Sequence, residues 1–88
     1  MQEETAVIRV LWMLAQGMVW PWLLEGMCDM AAVERAVRRR FAEPPIGDHL
    51  GFHLTDLGRA RLVDWYLHHA PLRTDPEHAD DWRAVTMR

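Results

Sequence analysis

Arg35, Arg38 and Arg39 are spaced so that a helix would project them from one side, with Met30, Val33, Val37 and Phe41 sharing the opposite, apolar side. Guanidinium groups in such a row suit phosphate oxygens, which attract them irrespective of base sequence. Arginine also reads guanine bidentately, but one helix face does not say which base is chosen. The plainer alternative is a solvated face balanced by Glu34 and other acids. Other reactive side chains form no pattern. His49 and His53, with His68, His69 or His78, lack the Cys-x-x-Cys or His-Glu-x-x-His spacing of a metal site and read as surface histidines. Cys28 has no neighbouring arginine or histidine in sequence to lower its pKa, and reads as a small buried hydrophobe. The chain has no serine, a single cysteine and no glycine-rich phosphate loop. With no nucleophile beside a base, and Asp80-Asp81 reading as a solvated helix face, the expectation is no catalysis, no metal and no cofactor.

The second concentration of chemistry is aromatic. Five tryptophans, Trp12, Trp20, Trp22, Trp65 and Trp82, occur in 88 residues. Trp20 and Trp22 straddle Pro21, and neighbours two apart on a helix cannot share a face. Trp65 falls off the main apolar arc of its own segment. A core this small is expected to leave some of these rings exposed, and tryptophan is enriched where proteins meet. Trp12, Trp65 and Tyr66 are the residues expected at a contact between subunits.

Length allows one small domain, and an apolar half of the composition is enough to give it a core. The start Met1-Gln2-Glu3-Glu4 lacks the positive region of a signal peptide, and no apolar run is long enough to span a bilayer. A lone cysteine fits a reducing compartment, so the expected location is cytoplasmic, without a membrane partner. The net charge of −3 excludes a general polycation. Charge is unevenly placed, however: Asp29 to Glu43 holds four arginines against three acids, whereas the rest of the chain is net negative.

Five helices and a hairpin would position these residues. Glu3 to Gln16 reads as a helix, acidic at its start and stopped by Gly17. It is apolar nearly all round (Val7, Val10, Leu11 and Leu14 on one stripe, Ile8, Trp12 and Ala15 elsewhere), so a second face is expected to meet another subunit. Met18 to Met27 reads as a short helix with Pro21 in its first turn and Trp20, Leu23, Leu24 and Met27 towards the core. Asp29 is a natural N-cap for a third helix, Met30 to Ala42, broken by Glu43-Pro44-Pro45. Ile46 to Leu54 alternates like a hairpin, with a turn near Asp48 to Gly51. Thr55 caps a last long helix, Asp56 to Ala70, in which Ala60, Leu62, Val63, Tyr66, Leu67 and Ala70 form the apolar arc. Gly58 in its first turn, where glycine costs about 1 kcal/mol against alanine, implies a backbone packed close by. Thr74-Asp75-Pro76-Glu77 is a capping box opening a short terminal helix anchored by Trp82.

The run Leu54-Thr55-Asp56-Leu57-Gly58-Arg59 resembles the end of the wing and the start of the following helix in bacterial winged-helix regulators of the MarR and PadR families. The order helix, helix, helix, hairpin, helix is similar too, over about Thr5 to Ala70. The resemblance implies a mainly α winged-helix fold with a small β-hairpin in residues 1–70; the last eighteen residues lie outside it and read as a helical capping or partner-binding extension, 71–88. It implies a homodimeric transcriptional regulator that presents Arg35, Arg38 and Arg39 to double-stranded DNA. The sequence departs from those families at Ala31, Ala32 and Asp48, where polar residues of the recognition helix and basic residues of the wing are usual. Those departures and the acidic balance favour a rival: a winged helix that binds another protein, as an adaptor or a small inhibitor of a larger assembly, and does not bind DNA.

Overall fold

The computed structural model describes residues 3–46, 50–69 and 75–76. Its elements are α1 (Glu3–Ala15), α2 (Pro21–Met27), α3 (Met30–Arg38), β1 (Ala42–Glu43), β2 (His53–Leu54) and α4 (Asp56–His69). The protein is mainly helical, with one small antiparallel hairpin in which Ala42 pairs with Leu54 and Glu43 with His53.

α1 is the centre of the packing. Val7, Ile8, Val10, Leu11, Met13 and Leu14 are all buried, because α3 covers one side of the helix and α4 another. The second apolar face expected to meet a subunit is therefore satisfied inside the protomer. The acidic first turn is used on both sides: Glu3 pairs with Arg35 of α3 at 2.8 Å, and Glu4 pairs with Arg61 of α4. Gly17 ends α1 as expected, at φ 86°, with Gly17 N–H donating to Leu14 O and Met18 N–H to Met13 O. This is the two-bond Schellman closure that a left-handed residue permits.

α2 is shorter than expected. Residues 18–20 are not helical, and Pro21 opens the helix behind an extended Trp20, which offers no side-chain cap. Of its apolar residues only Leu24 is buried, while Trp20, Trp22 and Met27 face solvent. The short connection to α3 is stabilised by Asp29, whose carboxylate accepts from Ala31 N–H at 3.0 Å.

α3 stops at Arg38, well before Pro44, and does not run to Ala42. Arg40 takes the left-handed conformation (φ 62°), with Arg40 N–H donating to Val37 O and Phe41 N–H to Ala36 O. The same Schellman closure thus ends α3 around an arginine rather than a glycine. It turns the chain so that Ala42 and Glu43 become β1. The hairpin starts four residues earlier than the Ile46 expected from sequence; its expected turn at Asp48 lies outside the described residues. The inward face of α3 is Ala32, Val33 and Ala36, with Met30 at the surface.

The expected start of α4 is observed. Thr55 Oγ1 accepts from Gly58 N–H at 3.0 Å and donates to Arg40 O at 2.6 Å, so one hydroxyl caps α4 and ties it to the end of α3. Gly58 is buried against the Phe41 carbonyl, the close backbone inferred from its type. The buried side of α4 is Gly58, Leu62, Trp65 and Tyr66; Val63 and Leu67 point outward. Trp65 is therefore a core residue rather than an exposed one, edge-on to Tyr66 and stacked on His69 at 4.7 Å. Beyond α4, Asp75 pairs with Arg9 of α1 at 3.3 Å and Pro76 is buried, so the chain returns to the first helix. The rest of the expected terminal helix, with Trp82 and Asp80-Asp81, lies outside the described residues, as do His49 and His78.

Candidate nucleic-acid interface

The sequence places its candidate arginines on α3, but the fold separates them. Arg35 leans back to α1, half-buried and held by Glu3. Arg38 closes the last turn of α3 and Arg39 is its C-cap, both exposed. Arg40 is exposed as well, because the left-handed turn lifts it out of the helix. Among the described residues Arg38, Arg39 and Arg40 have no ion-pair partner, whereas Arg9, Arg35 and Arg61 are each paired. Arg59 on α4 has none either, so among the described residues three of the four uncommitted arginines gather at the end of α3, immediately before the hairpin. They also meet a favourable field, since a helix C-terminus carries partial negative charge that holds cations near it. Arg40 as a member of this group was not legible from periodicity, because its position depends on the end of the helix.

The N-terminal half of the exposed α3 face is different. Met30, Ala31 and Glu34 lie there, offering no donor that would read a base edge and one carboxylate that repels phosphate. On α2, Trp22 is 69% exposed and Met27 is also at the surface. The mixture is of two characters: basic at the end of α3, apolar at the α2 and early α3 surface.

The remaining candidates resolve into structural roles. Cys28 Sγ donates to Met13 Sδ at 3.1 Å, and lies 4.0 Å from Arg9 Nη1. Burial pushes the Cys28 thiol above its ordinary pKa, and Asp75 adds to the shift, outweighing the opposite pull of Arg9. A thiol so held is a poor nucleophile, and it is half-buried where the sequence reads a buried hydrophobe. His68 approaches Asp64 on its own helix, and His53 sits on β2. Among the described residues no three histidine, cysteine or acidic side chains converge as a metal site would need. Trp12 is half-buried, and its indole N–H is enclosed with no acceptor among the described residues. It walls a groove of about 630 Å³ with Ala15, Gln16, Arg59, Leu62, Val63 and Tyr66. Of the three residues expected at a subunit contact, Trp12 is half-buried and Trp65 and Tyr66 are buried within the protomer, although Tyr66 shares the wall of this groove.

Among the described residues no helix is long and apolar enough to cross a membrane. Comparison with family models, curated proteins and solved structures finds no match to this chain.

Proposed function

We propose that this chain is a small winged-helix DNA-binding protein, a cytoplasmic transcriptional regulator that works as a homodimer. The observation that carries the reading is the run Arg38-Arg39-Arg40: exposed, without ion-pair partners among the described residues, and set between α3 and the hairpin. The element order supports it. Helices α1 to α3, the hairpin and α4 follow one another as in the winged-helix families that Leu54-Thr55 and Gly58-Arg59 resemble. Phe52 N–H also donates to Val19 O at 2.8 Å, which lays the α1–α2 connection beside the hairpin. In this reading the arginines bind phosphates, and affinity is mainly electrostatic. Glu34 and the small Ala31 leave little for base reading, so sequence preference is weak.

A second reading has its own observation. Trp22, Met27 and Met30 are exposed on α2 and α3, where an apolar surface suits a protein partner better than a duplex. In that reading the chain is an adaptor or small inhibitor, and the arginines form its polar rim. A mobility shift with generic duplex at low salt separates the two. A retarded complex that dissolves as salt rises supports the DNA reading; free duplex at every protein concentration leaves the second.

A further inference from the structure

The outward side of α4 is apolar and uncovered among the described residues. Ala60, Val63 and Leu67 follow one another at spacings of three and four, all exposed, with Leu67 at 77%. That is the seam spacing of a helix that packs along another helix. Gly58 and Trp65 lie on the opposite, buried side of α4, so this seam is not needed by the protomer's own core. The seam is flanked by Arg59 on one edge and Asp64 on the other, and these residues with Asp56 line a shallow depression along it.

We propose that a second copy of this chain packs parallel to the first along this seam, α4 against α4. The charges at its edges name the occupant. With Ala60, Val63 and Leu67 as seam positions, Arg59 precedes the seam by one residue and Asp64 follows its middle position by one. In a parallel pair of helices, such flanking positions five residues apart meet across the interface. Arg59 of each protomer then faces Asp64 of the partner subunit, twice, related by the two-fold axis. Arg59 is free to do so, having no ion pair among the described residues. Asp64 touches Arg61 at 3.5 Å and His68 at 3.8 Å in its own helix, contacts loose enough to share with a guanidinium. In an antiparallel pair like edges of the seam face one another, so Arg59 and Asp64, which stand on opposite edges, do not meet across it. The charge pattern therefore selects the parallel arrangement. The groove walled by Trp12, Leu62 and Tyr66 shares Arg59 and Val63 with this seam, and it extends the contact onto α1.

This contact rests on the homodimer of the reading above and specifies where it forms. The test is sedimentation equilibrium of the full chain and of Arg59→Asp, Asp64→Arg and the double swap, with circular dichroism as a check of folding. Both positions are exposed, so the variants are expected to fold. Wild type should sediment at twice 10.3 kDa. Each single swap places like charges together at two symmetric points and should weaken association about tenfold or more. The double swap should recover most of the loss. A wild type that stays monomeric at high concentration overturns the contact and the homodimer together. A wild-type dimer indifferent to both single swaps overturns the α4 contact alone. Neither result bears on the duplex mobility shift, which is measured separately.

Discussion

The carbonyl of Phe41 occupies the space where a side chain on Gly58 would begin. A Cβ there would lie 2.8 Å from the Phe41 carbonyl carbon and 2.9 Å from Leu54 Cδ1, and closer still to the carbonyl oxygen. That oxygen also accepts from Thr55 N–H at 3.1 Å, so it cannot be displaced without loosening the start of α4. The end of α3, the hairpin and the first turn of α4 are thus locked at one point.

Gly58→Ala is expected to destabilise the protein by about 2–4 kcal/mol, through backbone displacement rather than loss of contacts. Gly26, near the end of α2, is the control, since nothing lies within 4 Å of its missing Cβ. Gly26→Ala should be neutral or stabilise by up to about 1 kcal/mol, because alanine is the better helix former. Urea denaturation of the two variants makes the comparison; equal midpoints would show that the Phe41 contact is not rigid.

Arg40 is a non-glycine residue in the left-handed region, which costs about 1 kcal/mol or more for a residue with a Cβ. Its side chain is exposed and without an ion pair among the described residues, so removing it sacrifices little folded-state interaction. Arg40→Gly should stabilise the fold by about 0.5–1 kcal/mol, partly offset by the freedom glycine gains when unfolded. In a domain of this size that corresponds to a rise in Tm of about 2–8 °C. A fall in Tm would mean that Arg40 makes a contact worth more than the strain it bears.

These two positions show which parts of the fold were legible in the sequence. Asp29, Thr55, Gly17 and Gly58 act through their own backbone neighbourhood, and each was readable from residue type. The end of α3 was not, because nothing in the chemistry of Arg40 marks a left-handed turn, whereas Pro44-Pro45 marks a break conspicuously. The hairpin start and the position of Arg40 among the basic residues were lost with it. The face of α4 was ambiguous for another reason. Leu57, Ala60, Leu62, Val63, Trp65, Tyr66 and Leu67 surround the helix too widely for periodicity to choose the inward arc. Only the packing of Trp65 and Tyr66 against α1 does so. The apolar surround of α1 likewise signalled burial correctly, but what buries it is α3 and α4 of the same chain.

Tyr66 supplies a pH dependence. Burial, and secondarily the Asp75 carboxylate, push its hydroxyl up from 10.0 to about 12. Between those values the unfolded chain releases a proton that the folded protein keeps, so fewer protons are bound in the unfolded state and stability falls as pH rises. The contribution is complete below about pH 10 and is lost towards about pH 12. Cys28, shifted upward by burial, acts in the same direction from the ordinary thiol range upward. Tyr66 is the only tyrosine, so the ultraviolet absorbance of tyrosinate reports it alone. Its titration should be delayed to about pH 12 in the folded protein. Tyr66→Phe should flatten the alkaline loss of urea midpoint; a tyrosinate transition at the ordinary value would show that the ring is solvated.

The arginines at the end of α3 give the sharpest test of nucleic-acid binding, because the fold divides them from Arg35. Arg35 is engaged with Glu3, so Arg35→Ala should alter duplex affinity little and remove an exposed ion pair worth about 0–1 kcal/mol. Arg38→Ala with Arg39→Ala removes two guanidinium groups per protomer that have no ion pair among the described residues. If both contact phosphate, the slope of log affinity against log salt should become shallower by about 2 for each protomer bound, and by about 4 for a dimer. The weakening should be similar on all duplex sequences, since phosphate contacts carry no base information. Glu34 shares the outward face of α3 with Arg38, and Glu34→Gln should tighten binding by lifting a repulsion. Fluorescence anisotropy between about 50 and 200 mM salt measures all three variants on one labelled duplex. An Arg35 variant that loses as much affinity as the Arg38–Arg39 pair would place the contact on the α1 side of α3. An unchanged salt slope in the Arg38–Arg39 variant would remove the basic end of α3 from the interface, leaving the exposed Trp22, Met27 and Met30 surface as the functional face.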